Sequence, residues 1–137
     1  MFLFMHTLGM SVVAGGSAVV NLAILGVWPR APLRPLARLF PVLLWGFAVN
    51  AATGVSIFLK DAGSYGRNLD FYVKLVFVFG GMWLLLRLRD RIFADRPLDG
   101  DAVSPAAKRL ACASLVCWLG AIVSGRLIAY LGPVAGL

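Results

Sequence analysis

MFLFMHTLGMSVVAGGSAVVNLAILGVW, residues 1–28, contains no charged side chain and is long enough to cross a bilayer as a helix. About 20 consecutive apolar residues span the hydrocarbon core. Inside that core the backbone must satisfy its own hydrogen bonds, which a helix does within one segment. The reading of this stretch decides the fold, because three further runs of the same kind follow it. The chain of 137 residues is 61% hydrophobic and 14% charged, with a mean hydropathy of +0.88. Soluble domains carry about a quarter charged residues. The four runs take up most of the length and leave no room for a folded soluble domain. The expected fold class is all-α: an integral membrane four-helix bundle, up-down-up-down, forming a single domain over 1–137.

Helix one is expected over about 1–27. It stops at Trp28 and Pro29, an interfacial aromatic followed by a helix breaker. It lacks the basic n-region of a signal peptide and its apolar run continues past the usual h-region, so it reads as a retained helix. Helices two, three and four are expected over about 40–59, 70–86 and 106–131, the last ending at Gly132 and Pro133. Ser104 and Pro105 read as an N-cap with proline at the first helical position. The longest loop runs from Arg87 to about Pro105 and contains Pro97 and Gly100.

A net charge of +7 on a soluble face would suggest nucleic acid. Here the basic residues lie mainly between apolar runs, where they report topology and contact with anionic lipid head groups. The first loop has Arg30, Arg34 and Arg38; the third has Arg87, Arg89, Arg91 and Arg96, with Lys108 and Arg109 just after it. The second has only Lys60 and Arg67, with Lys74 just beyond. The first and third loops are therefore expected in the cytoplasm, with both termini extracytoplasmic. Glutamate is absent and the six aspartates lie in or beside loops, which argues against a carboxylate-driven proton pump. Cys112 and Cys117 sit five apart on one helix in the reducing compartment, so no disulfide is expected. No CxxC, Walker loop, GxSxG or HExxH is present, and the chain reads as non-enzymatic.

Small and weakly polar residues recur at helical spacing. Helix one carries His6, Met10, Val13, Ser17 and Asn21 on one stripe, with Ser11 to Gly15 and Ala14 to Ala18 as close-approach pairs. Helix two carries Gly46, Asn50 and Gly54 with Thr53 beside them; helix four carries Ser114, Cys117, Ala121 and Ser124. The inward line of helix three is expected at Lys74, Val78 and Gly81. Such positions let helices approach closely where lipid is as apolar as protein, so one reading of the stripes is that they only hold the bundle together.

Three ionisable residues fall inside or at the edge of apolar runs: His6, Lys74 and Arg126. The topology sets all three at one extracytoplasmic level, with Thr53 near it and Asn50 slightly deeper. An intramembrane ionisable residue is by default a functional-site hypothesis. Against that, Lys74 follows Asp70 at the favourable acid-before-base spacing, and lysine and arginine can snorkel from this depth. Histidine cannot snorkel far and is a common metal or haem ligand. His6 and Met10, four apart, offer ligands for haem iron or copper, although one histidine per chain gives bis-histidine ligation only across a subunit interface. The alternative is a neutral imidazole hydrogen-bonded to Asn50 or Thr53.

The phrases His6-Thr7-Leu8-Gly9-Met10-Ser11 through Leu22-Ala23-Ile24-Leu25-Gly26, then Trp45 to Gly54, Phe71-Tyr72-Val73-Lys74 and Leu119 to Tyr130, cover nearly the whole chain. Together they resemble a group of uncharacterised bacterial multi-helix inner-membrane proteins, some loosely labelled as similar to the copper-resistance D protein. Relatives typically begin further upstream of the helix-one histidine. The resemblance implies a multi-pass protein of the bacterial inner membrane, matches His6, Asn50, Thr53, Lys74 and Arg126, and brings metal handling into consideration. The expected function is a non-enzymatic subunit of an oligomer or larger membrane complex. Its polar layer of those five residues would hold a ligand or partner. The alternatives are haem b or quinone bound through His6, Lys74 and Arg126, or copper handled through His6 and Met10. The expected partners are the lipid bilayer and other membrane subunits or further copies of the chain; no nucleic acid is expected.

Overall fold

Apolar helix formers begin at Phe2, and nothing interrupts them until a glycine turns the backbone left-handed. The computed structural model describes residues 1–28, 33–93 and 103–131. Helix α1 spans Phe2–Leu25. Gly26 then adopts φ 84°, its N–H reaches the Ala23 carbonyl, and the Val27 N–H reaches that of Leu22. This paired closure takes up carbonyls left open at a helix end and favours glycine because no Cβ opposes the left-handed region. The helix therefore ends two residues short of the expected stop, and Gly26 is its terminator. Pro29 lies outside the described residues.

A 3-10 turn, Arg34–Arg38, leads into α2 (Leu39–Lys60). Asp61 closes α2 and caps the single-turn helix α3 (Ala62–Tyr65), accepting from the Ser64 N–H at 3.3 Å. Asn68 opens α4 (Leu69–Phe93) by accepting from the Asp70 N–H at 2.9 Å. Ser104 caps α5 (Pro105–Leu131) by accepting from the Ala107 N–H at 3.3 Å. Among the described residues there is no strand, and four helices are long and apolar enough to cross a membrane.

One bound differs substantially from expectation. The residues from Arg87 to Phe93 form no loop; they continue α4 for two further turns. Arginine and leucine are strong helix formers, and Leu85 and Leu88, 1% and 0% exposed, carry the core stripe past the first charges. Hydropathy ends where arginine begins, whereas helicity does not. Pro97 and Gly100, and Gly132 and Pro133 at the far end, lie outside the described residues.

The four long helices alternate in direction. Helices α1 and α2 pack antiparallel at close range. A Cβ on Gly9 would lie 3.0 Å from both the Asn50 nitrogen and the Gly46 carbonyl oxygen, and one on Gly16 would collide with Leu43. Small residues here let backbones meet. Ser11 and Gly15 face outward instead, and a Cβ on Gly15 would meet nothing within 4 Å. Helices α4 and α5 form the other tight pair, with Trp118 over Gly81 and Phe77 over Gly120. Helix α5 also packs on α1, whereas α2 and α4 scarcely approach at the backbone. Rings fill that side: Phe47 meets Phe79 edge-on at 6.3 Å and Phe58 stacks on Phe71 at 5.2 Å. Bulky side chains widen the separation between helix axes. The core is shared by Val13, Val20, Leu43, Leu85, Ala111 and Trp118.

Candidate functional site

The expected inward lines largely point inward. Val13, Ser17 and Asn21 on α1, Gly46, Asn50 and Thr53 on α2, and Val78 and Gly81 on α4 are buried, with His6, Met10 and Lys74 half-buried. On α5 the buried line is Ser114, Trp118, Ala121 and Ser124, with Cys117 beside it.

Four of the five candidate residues converge at one end of the bundle. His6 Nδ1 lies 3.0 Å from the Asn50 carbonyl oxygen and 3.2 Å from Thr53 Oγ1. The Asn50 oxygen can only accept, so Nδ1 must carry a proton. The Thr53 hydroxyl donates to the Val49 carbonyl at 2.6 Å, which leaves its oxygen free to accept from the same imidazole N–H. These two contacts assign the tautomer. The opposite nitrogen, Nε2, lies 3.3 Å from Lys74 Nζ. In the neutral ring Nε2 has a lone pair, and the lysine donates to it.

Glycine makes the geometry accessible. The Asn50 carbonyl points along α2 toward position 54, where a side chain would shield it. Gly54 has none, and a Cβ there would stand 3.1 Å from His6 Cε1. The ring thus lies against bare backbone and reaches a main-chain acceptor. Across the site, Gly125 on α5 faces the end of Lys74: a Cβ at that position would lie 3.7 Å from Cε and 3.9 Å from Nζ.

Arg126 does not join this layer. It is exposed and makes no hydrogen bond or ion pair among the described residues. At 100° per residue a helix aims neighbours at different surfaces, and on α5 it is Gly125 that meets Lys74. Asp70 also stays apart: among the described residues Lys74 has no carboxylate within 4.0 Å, and its sole hydrogen-bond partner is His6. The expected pairing with Asp70 gives way to an interhelical contact with an imidazole.

This arrangement constrains the metal and haem readings. Both nitrogens of His6 are engaged, so iron or copper at the ring requires release of Lys74 or of the Asn50 carbonyl. Met10 packs against the apolar core. No group of three or more His, Cys, Asp or Glu gathers among the described residues. Sequence reasoning missed Gly54 and Gly125 as walls of the site and the main-chain carbonyl as the histidine's partner. The four-residue glycine spacing on α2 was the available signal for the first. No family model, curated protein or solved structure matches the chain.

Proposed function

We propose that the chain is a non-enzymatic multi-pass subunit of the bacterial inner membrane, and that its outer-end site binds an anionic group carried by a membrane-resident ligand or partner. One observation carries this reading: the Lys74 ammonium is half-buried and has a neutral imidazole for its only hydrogen-bond partner among the described residues. A charge withdrawn from water is costly unless an opposite charge compensates it, and no described residue places a carboxylate within 4.0 Å of Lys74. The lysine retains donors that His6 does not use.

The sidedness follows from charge. Arg38, Arg87, Arg89, Arg91, Lys108 and Arg109 cluster at the end away from His6, which supports a cytoplasmic position for that end and extracytoplasmic termini. The outward-facing Thr7, Ser11 and Gly15 support association with another helix, in a second copy of the chain or a larger complex. Of the redox ligands, a quinone suits the site better than haem, because its carbonyls accept hydrogen bonds and leave both imidazole nitrogens in place.

The test is ligand-dependent stability of the purified chain in detergent, titrated in parallel with phosphatidylglycerol and inorganic phosphate. A ligand bound only to the folded state stabilises it by about 2.7 kcal/mol at a hundredfold excess over Kd. Wild type should be stabilised by at least one of the two probes and Lys74→Met by neither. Equal stabilisation of wild type and Lys74→Met, or of neither protein, refutes the proposal. A Soret band in the purified chain, lost in His6→Ala, would favour the haem reading instead.

A further inference from the structure

The four long helices form two tight pairs, α1 with α2 and α4 with α5. Among the described residues two side-chain hydrogen bonds join these pairs, and they lie toward opposite ends of the bundle. At the inner end Asn21 Nδ2 on α1 donates to Ser114 Oγ on α5 at 3.0 Å, and both residues are fully buried. At the outer end Lys74 Nζ on α4 donates to His6 Nε2 on α1 at 3.3 Å. The distance along α1 from His6 to Asn21 is about 22 Å at a rise of about 1.5 Å per residue. The backbones of α1 and α4 scarcely approach one another, so the outer bond spans the space between the pairs through side chains alone.

The two links differ in chemistry. A carboxamide and a hydroxyl keep their charge between about pH 5 and 8, whereas an imidazole changes its charge there. The Asn50 carbonyl and Thr53 hold the Nδ1 proton of His6, so a further proton can enter only at Nε2. That proton takes the lone pair to which Lys74 donates and sets two cations face to face. Lysine is ordinarily the stronger base by about four pH units, so the imidazole gains the proton while the ammonium keeps its own. On α2 the ring meets the Asn50 carbonyl, Thr53 and Gly54, none of which titrates, and Lys60 at the end of that helix lies over the Phe2 ring at 5.2 Å. Helix α4 presents Lys74 and, one turn nearer the outer end, Asp70. Helix α5 presents Gly125 to Lys74, and its Arg126 is exposed. Helix α1 itself carries no charged side chain. Among the described residues no carboxylate lies within 4.0 Å of either His6 or Lys74 to hold two cations together.

We infer that the His6–Lys74 hydrogen bond is a proton-operated clasp: protonation of Nε2 breaks it and lets the outer ends of the two helix pairs separate, while the Asn21–Ser114 bond holds the inner ends together. Released from the ring, the Lys74 ammonium turns toward the outer edge, where Asp70 stands at the favourable acid-before-base spacing. The inner ends stay closed because Val20, Ile24, Leu88, Ala107 and Ala111 belong to the buried core and none of them responds to pH. The release needs a proton and no ligand, so it stands or falls separately from anion binding.

Double electron–electron resonance on the full chain in nanodiscs reads the separation directly. In a background carrying Cys112→Ser and Cys117→Ser, nitroxides are attached at the exposed outer-end positions through Leu3→Cys and Leu69→Cys. A second sample carries them beside the inner link, at the exposed positions Val19→Cys and Val116→Cys. Between pH 8 and about pH 5, the range over which an imidazole changes charge, the outer distance should lengthen by more than the width of its distribution at pH 8. It should return on back-titration, and the inner distance should not change. His6→Gln removes the titrating ring and Lys74→Met removes the second cation, so each should abolish the response. An outer distance that stays constant with pH overturns the inference, as does an equal lengthening at both ends. A lengthening of undiminished size in either variant also overturns it, and one folded variant suffices for that arm.

Discussion

Two glycines six residues apart on α1 should respond oppositely to the same substitution. A methyl group added at Gly15 meets nothing within 4 Å. Gly15→Ala therefore carries only the helix-propensity gain of alanine over glycine, about 1 kcal/mol. Added at Gly9, the methyl group stands 3.0 Å from the Asn50 nitrogen, 3.0 Å from the Gly46 carbonyl oxygen and 3.1 Å from the Asn50 Cβ. Two of those atoms are main chain in the middle of α2, so relief requires moving a helix and not merely rotating a side chain. Overpacking of this kind costs about 1–3 kcal/mol. The propensity gain is common to both variants and cancels in the comparison. Gly9→Ala should thus be about 1–3 kcal/mol less stable than Gly15→Ala. Reversible unfolding in mixed micelles, titrated with a denaturing detergent and followed by helical circular dichroism, measures the difference. If Gly9→Ala is as stable as Gly15→Ala, the close crossing of α1 and α2 is wrong, and with it the placement of His6 against the Asn50 carbonyl.

The other predictions concern the His6–Lys74 site, the α1–α5 contact and the sidedness. Nitrogen chemical shifts of the His6 ring at neutral pH should report one protonated nitrogen, Nδ1, with Nε2 acting as acceptor; a ring protonated at Nε2 would contradict the Lys74 contact. Gly54→Ala, whose Cβ would stand 3.1 Å from His6 Cε1, should disturb those shifts, while Gly63→Ala, with open space around it, should not. Asn21 Nδ2 donates to Ser114 Oγ at 3.0 Å where α1 meets α5, so Asn21→Ala leaves Ser114 without its partner and should cost about 1–3 kcal/mol; Asn21→Leu, which keeps more volume, should cost less, and a reversed order in the unfolding assay would count against that contact. In a background lacking Cys112 and Cys117, a membrane-impermeant maleimide should label Gly63→Cys on intact cells and Arg91→Cys only after lysis. The opposite pattern would invert the topology.

Much of the candidate site can be read along one helix at a time. His6, Asn50, Thr53 and Lys74 are polar residues in apolar surroundings, and loop charges place them at a common level. Arg126 satisfies the same criteria and yet lies outside, because depth is a property of sequence position whereas facing depends on how helices are rotated about their axes. A single step along α5 separates it from Gly125, which meets Lys74. The end of α4 shows a different limit. Hydropathy marks where apolar character stops, and Arg87, Arg89 and Arg91 stop it without stopping the helix.

Charge-free length and the positions of arginine, glycine and proline by themselves determined that this chain forms four apolar helices in one bundle. These are local properties: each helix satisfies its own backbone, and its apolar length is independent of its neighbours. Which atom partners which was decided only by tertiary structure. The imidazole of His6 finds a main-chain carbonyl because Gly54 leaves it bare, Lys74 finds that imidazole in place of Asp70, and Asn21 finds Ser114 across a seam. Hydrogen bonds act over about 3 Å, and whether two side chains from different helices come that close depends on crossing geometry that no single helix contains.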